Sequence, residues 1–166
     1  MLTTLLYVIL AILILTIIYI LVRTIIFQWS AGSVEKIEGV TVDDQQVAEH
    51  LVASVRCKTV PLDEKGTPDP KAFKQLHQML EKTYPLVHSK LKREVVNGFS
   101  LLYTWLGNRP DLEPVMLMAH QDVVSADPSD WTHPPFEGVI ADGLVWGRGT
   151  LDIKNQLIGI MEAAEK

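Results

Sequence analysis

Two short stretches of this chain gather side chains able to do chemistry: Met118-Ala119-His120-Gln121-Asp122, and Trp146-Gly147-Arg148-Gly149-Thr150-Leu151-Asp152-Ile153-Lys154. In the first, polar residues break an apolar run. In extended backbone, positions i and i+2 point the same way, so Asp122 can accept a hydrogen bond from one nitrogen of His120 while the other nitrogen faces a cleft. A carboxylate placed there orients a metal-binding imidazole and raises its basicity. Taken alone, the triplet is more simply a strand-end histidine packed at the surface, because five histidines among twenty acids produce such pairs by chance. In the second stretch, two glycines before a helix suggest a phosphate-cradling turn. The dinucleotide fingerprint fails there: Asp152 stands where a third glycine is needed, and its carboxylate repels phosphate and suits a cation. By itself, Asp152 is more simply a first-turn acid favoured by the helix dipole.

The elements that must position these residues follow from periodicity. Val47, Leu51, Val52 and Val55 recur at helical spacing behind Thr41 and Asp43 as caps. Pro61 to Pro70 reads as a loop, and Asp69-Pro70 as the cap and first turn of a second helix with Phe73, Leu76, Leu80 and Tyr84 on one face, ended by Pro85. Val95 and Val96, Asn97-Gly98, then Phe99 to Leu106 predict a hairpin. Pro114 to Ala119 is an unbroken apolar run, expected as a strand buried on both faces. A proline-rich loop follows, then a second hairpin around Asp142-Gly143, then a helix from about Leu151 with Leu157, Ile160, Met161 and Ala164 on one face. Helices interleaved with strands predict a three-layer α/β domain with a mixed sheet. The last helix reaches Lys166 without a C-cap, so the natural polypeptide is expected to continue.

Residues 1–27 predict a transmembrane anchor, 28–40 a stalk, and 41–166 the start of the folded domain. No charged residue or histidine precedes Arg23. A cleaved signal peptide, with Ser30 to Ser33 as its cleavage region, is the rival reading; its apolar core is usually about 7 to 15 residues behind a basic segment, which this chain lacks. Arg23 alone leans toward a cytosolic C-terminal part. Acids modestly outnumber bases, 20 against 15, and nothing suggests nucleic acid. The single cysteine, Cys57, excludes an intramolecular disulfide and reads as a small buried hydrophobe, so any metal site must use His and carboxylates. His50, His77 and His88 read as surface or packing residues without partners, and Arg148 as a structural donor.

Set in order, His120-x-Asp122-Val123-Val124, Trp131-x-x-x-Pro135-Phe136-x-Gly138 and Asp142-Gly143-x-x-Trp146-Gly147-Arg148-Gly149-x-x-Asp152-x-Lys154 resemble the aminoacylase / carboxypeptidase S family of di-zinc metallopeptidases, in its N-fatty-acyl-amino-acid synthase/hydrolase-like branch. The resemblance runs from about Asp43 to Lys166. It implies a zinc-peptidase catalytic domain that hydrolyses amide bonds in small peptides or N-acyl amino acids. It also implies two Zn2+ ions, with His120 a ligand of one, Asp152 the bridging carboxylate and Asp122 the catalytic-site aspartate that holds the His120 ring. The family's Glu-Glu pair, its further acidic ligand, its distal His and its inserted dimerisation domain lie beyond Lys166, and Ile153 stands where many members have a second Asp. Glu162 and Glu165 do not match the family's pair. The anchor predicts a single-pass membrane protein, and the resemblance further implies a non-cytoplasmic catalytic domain and a homodimer formed through the inserted domain. The alternative is a truncated, inactive, membrane-anchored relative acting as a binding module or without function.

Overall fold

The computed structural model describes residues 2–30, 39, 41–60 and 70–166. The chain divides into two units, Met1–Thr41 and Val42–Lys166.

The first unit holds one helix, α1, Leu2–Ser30. Its apolar part, Leu2–Phe27, has a mean hydropathy of 3.2. At about 1.5 Å per residue it is longer than the roughly 30 Å hydrocarbon core of a bilayer, so by length and composition it can cross a membrane. Two of its hydroxyls are satisfied within the helix: Thr16 and Thr24 each donate to the carbonyl one turn back, on Ile12 and Ile20, at 2.9 Å. The helix runs on through Gln28, Trp29 and Ser30, where the stalk is expected to begin; residues 31–38 and 40 of that stalk lie outside the described residues.

In the second unit, α2 (Asp44–Arg56) is capped by Asp43, whose carboxylate accepts from the backbone N–H groups of Gln45 and Gln46 at 3.0 and 3.1 Å. Helix α3 (Pro70–Thr83) gives way to a short α4 (Pro85–Lys90), so Pro85 ends one helix by opening another, at a position where its missing N–H costs nothing. The expected cap Asp69 lies outside the described residues. Strands β1 (Lys92–Val96) and β2 (Ser100–Thr104) form an antiparallel hairpin, as do β3 (Val139–Ala141) and β4 (Leu144–Trp146). The turns carry Asn97 and Asp142 at φ 50° and 54°, each followed by glycine, as the Asn-Gly and Asp-Gly pairs predict. Phe99 drops out of the first ladder and meets Phe73 edge to face at 5.4 Å. Helix α5 (Asn155–Glu165) closes the unit.

The core lies among the helices: Leu76, Leu80, Tyr84 and Val87 meet Cys57, Ile158 and Met161. Burial pushes the Cys57 thiol up, so it stays protonated, while the neighbouring Lys154 opposes the shift. Glu162 is buried as well. It accepts a hydrogen bond from the Tyr84 hydroxyl at 2.9 Å and pairs with His50, while Glu165 accepts from the backbone N–H groups of Leu86 and Val87 at the start of α4. Both acids are thus committed to structure.

One expectation fails. The run from Pro114 to Ala119 pairs with no strand among the described residues, and Val115, Met116, Leu117 and Met118 are each at least two-thirds exposed. A strand is buried on both faces only when neighbouring strands and covering layers are present, and the two hairpins do not supply them.

Tyr84→Phe keeps the ring in the core and removes the O–H donated to a buried carboxylate oxygen shared with His50. It is expected to lower stability by about 1–3 kcal/mol, measured as a reduced urea midpoint for the loss of helical circular dichroism.

Candidate metal centre

The two stretches singled out by their chemistry converge. His120 Nε2 lies 3.0 Å from Asp152 Oδ1, across 32 residues of sequence. On the other side of the ring, Nδ1 lies 2.9 Å from the backbone carbonyl oxygen of Asp122 and 3.3 Å from its Oδ1. Asp122 therefore supports the ring as its spacing suggests, but its main-chain oxygen is the nearer acceptor and the carboxylate the second. The hydrogen bond to Asp152 raises the His120 pKa above the ordinary imidazole value; partial desolvation opposes this, and the carbonyl and charge of Asp122 reinforce it.

The segment carrying His120 is held from several sides. Thr59, fully buried, donates its hydroxyl to the Gln121 carbonyl at 2.6 Å, and its own carbonyl accepts from the Val123 N–H at 3.0 Å. The Gln121 side chain lies 2.8 Å from His77 Nε2 and donates to the Phe99 carbonyl at 3.1 Å, and Gln156 donates to the Met118 carbonyl. Beside His120 opens a cleft of about 270 Å³ lined by Phe73, Phe99, Ser100, Leu101 and the residues from Ala119 to Asp122. A larger hollow, of about 400 Å³ and bounded by Glu49, Val52, Arg56, Gly138 and Ile140, includes none of the converging residues; the chemistry favours the smaller one.

Asp152 stands on a turn, Thr150–Lys154, rather than in the first turn of a helix; α5 begins only at Asn155. Gly149 opens that turn at φ 88°, and a Cβ there would sit 2.5 Å from Val123 Cγ1. At Gly147 a Cβ would sit 2.5 Å from Val55 Cγ1. The two glycines of the motif thus serve close packing against α2 and the His120 segment. Arg148 donates its backbone N–H to the Pro135 carbonyl and lays its guanidinium over the Trp131 ring, 4.9 Å from its centroid.

Sequence reasoning assigns Lys154 no role, yet it has no exposed surface, and its ammonium donates to the carbonyls of Ser54 at 2.6 Å and Cys57 at 2.7 Å. Burial pulls its pKa down to about 8. A lysine two residues past a motif acid gives no local sign of burial; only its place beside glycines that let backbone approach closely hints at it. The other histidines do have partners: His77 meets Gln121, His88 meets the Tyr103 hydroxyl, and His50 meets Glu162. Their reading as residues without partners is corrected by these contacts.

The pair suits a zinc ion. Tetrahedral zinc with bonds of about 2.0–2.1 Å to imidazole nitrogen and carboxylate oxygen sets those atoms about 3.3 Å apart, close to the observed 3.0 Å. Both side chains are open to solvent, with Asp152 85% exposed. Binding must displace the proton on Nε2. Among the described residues no group of three or more His, Cys, Asp or Glu is arranged around a metal position, so the site offers two donors.

Residues 116–166 match the model of peptidase family M20/M25/M40. The chain is 48% identical over 128 residues to "Carboxypeptidase S" of Saccharomyces cerevisiae, covering 71% of this chain and 22% of that protein. It is 38% identical over 128 residues to "Probable carboxypeptidase S-like 2" of Dictyostelium discoideum, covering 75% and 25%. Against the N-fatty-acyl-amino acid synthase/hydrolase of Xenopus tropicalis the identity is 35% over 144 residues, covering 86% and 28%. The chain thus spans about a quarter of the length of these relatives. In fold it resembles human carnosine dipeptidase 1, with a TM-score of 0.53 at 20% identity, over 73% of this chain and 28% of that one.

The His77 contact carries a pH signature. Burial, its largest influence, depresses the His77 pKa from 6.5, against the hydrogen bond to Gln121. The unfolded chain then takes up a proton more readily than the folded one, so stability is lost as pH falls through the unfolded value. Between about pH 7 and pH 5 the urea midpoint is expected to fall further in the parent than in His77→Gln.

Proposed function

We propose, starting from a chain whose residues 116–166 belong to peptidase family M20/M25/M40, that the protein carrying it hydrolyses amide bonds in small peptides or N-acyl amino acids with the help of zinc. The observation that carries this reading is the His120–Asp152 pair, 3.0 Å apart, with Asp122 behind the His120 ring and a cleft opening beside His120. Relatives named for carboxypeptidase and N-fatty-acyl-amino acid hydrolase activity support the reaction class.

In this reading His120, through Nε2, and Asp152, through its carboxylate, would hold the zinc. Bound zinc would polarise the amide carbonyl and acidify the attacking water. Asp122 keeps the His120 ring turned so that Nε2, not Nδ1, faces the metal position. The cleft wall formed by Phe73, Phe99 and Leu101 gives an apolar surface for a substrate side chain or acyl group. The segment from Val115 to Met118 belongs, in this reading, to a mixed sheet of a three-layer domain. Helix α1 holds the protein in a membrane as a single-pass anchor with the domain on the non-cytoplasmic side, and the whole protein forms a homodimer.

A second reading is a membrane-anchored binding module without turnover. One experiment separates the two. In the full-length protein, His120→Ala and Asp152→Ala should each abolish zinc-dependent release of amino acid from a dipeptide or N-acyl amino acid. Asp122→Asn should reduce it about 10- to 100-fold. Turnover that survives both alanine substitutions overturns the site; a parent protein that binds zinc yet releases no product favours the binding module.

A further inference from the structure

We propose that Lys154 is a positioning residue for the metal donors, acting with Thr59 through the common anchor formed by residues 54–59. This rests on the metal reading above.

Two chains of hydrogen bonds run from that anchor. The Lys154 ammonium reaches the Ser54 and Cys57 carbonyls at 2.6 and 2.7 Å, while its backbone N–H donates to the Gly149 carbonyl at 2.8 Å and closes the turn that carries Asp152. Two residues past Cys57, Thr59 takes hold of Gln121 and Val123, which flank Asp122 and follow His120. The two paths meet in a single bond, from the Thr59 N–H to the Cys57 carbonyl at 2.8 Å. The separation of His120 Nε2 and Asp152 Oδ1 is therefore set from behind, by a segment that contributes no donor itself.

Lysine is the side chain this role needs. The accepting carbonyls lie at the C-terminal end of α2, where backbone dipoles point their negative ends outward and favour a cation. An ammonium can donate to converging carbonyls from one point, whereas a guanidinium needs a wider, planar space. The close approaches at Gly147 and Gly149 leave none.

The test uses the full-length protein in detergent micelles. Zinc affinity is read by competition with a chromophoric chelator, and donor geometry by the visible absorption of bound cobalt(II). Lys154→Met should weaken zinc binding about 10- to 100-fold and alter the cobalt spectrum, with helical circular dichroism retained. It should add little further loss in an Asp152→Asn background, because both changes act through one donor. Thr59→Val should weaken binding likewise, and Thr59→Ser should restore it. Parental affinity and spectrum in Lys154→Met, or a loss that adds in full to that of Asp152→Asn, would overturn the proposal. If Lys154→Met does not fold, the Thr59 pair decides: equal affinity in the valine and serine variants overturns it. A full-length parent protein that takes up neither zinc nor cobalt overturns the metal reading instead, a distinct result.

Discussion

The Lys154 ammonium gives up its hydration to sit, with no exposed surface, on the carbonyls of Ser54 and Cys57. An ion so placed is tolerable only where fixed dipoles replace water, and the end of α2 supplies them. Much of residues 42–166 follows from that requirement. The chain must pass close enough to α2 for a lysine stem to reach, which calls for glycine at 147 and 149. The turn between those glycines and α5 must project Asp152 away from the core while Lys154 points into it. Opposite orientations of Asp152 and Lys154, one 85% exposed and the other buried, are the outcome.

Local chemistry makes much of this legible in advance. Asn97-Gly98 and Asp142-Gly143 name their turns because few other residues accept positive φ there, and both hairpins form around them. Asp43 caps α2 for a reason visible in the local sequence. The i, i+2 spacing of His120 and Asp122 correctly brings both to one side, although spacing cannot say that the Asp122 carbonyl comes nearer than its carboxylate. Convergence of His120 with Asp152 is a tertiary fact, and only the family resemblance foretells it.

What is not legible shares a physical cause. Burial of a polar group depends on partners far away in sequence: Lys154 on Ser54 and Cys57, Glu162 on His50 and Tyr84. Apolar composition, conversely, does not guarantee burial. The run after Pro114 has the letters of a core strand, yet burial is a property of what surrounds a segment. Helix α5 starts later than its spacing suggests because Asp152 and Ile153 hold non-helical backbone angles, φ -124° and -138°, so the chain turns before the helix begins.

The exposed run from Val115 to Met118 also bears on how this chain behaves in a crowd. Four consecutive apolar side chains face solvent, without a charge among them and with no ladder partner among the described residues. Backbone of that kind is a template for strand addition, and a second copy is the nearest source of a matching strand. Self-association through it would rise with concentration and compete with any intended pairing, so yield and solubility become functions of how quickly that edge is covered rather than of how stable the helical core is.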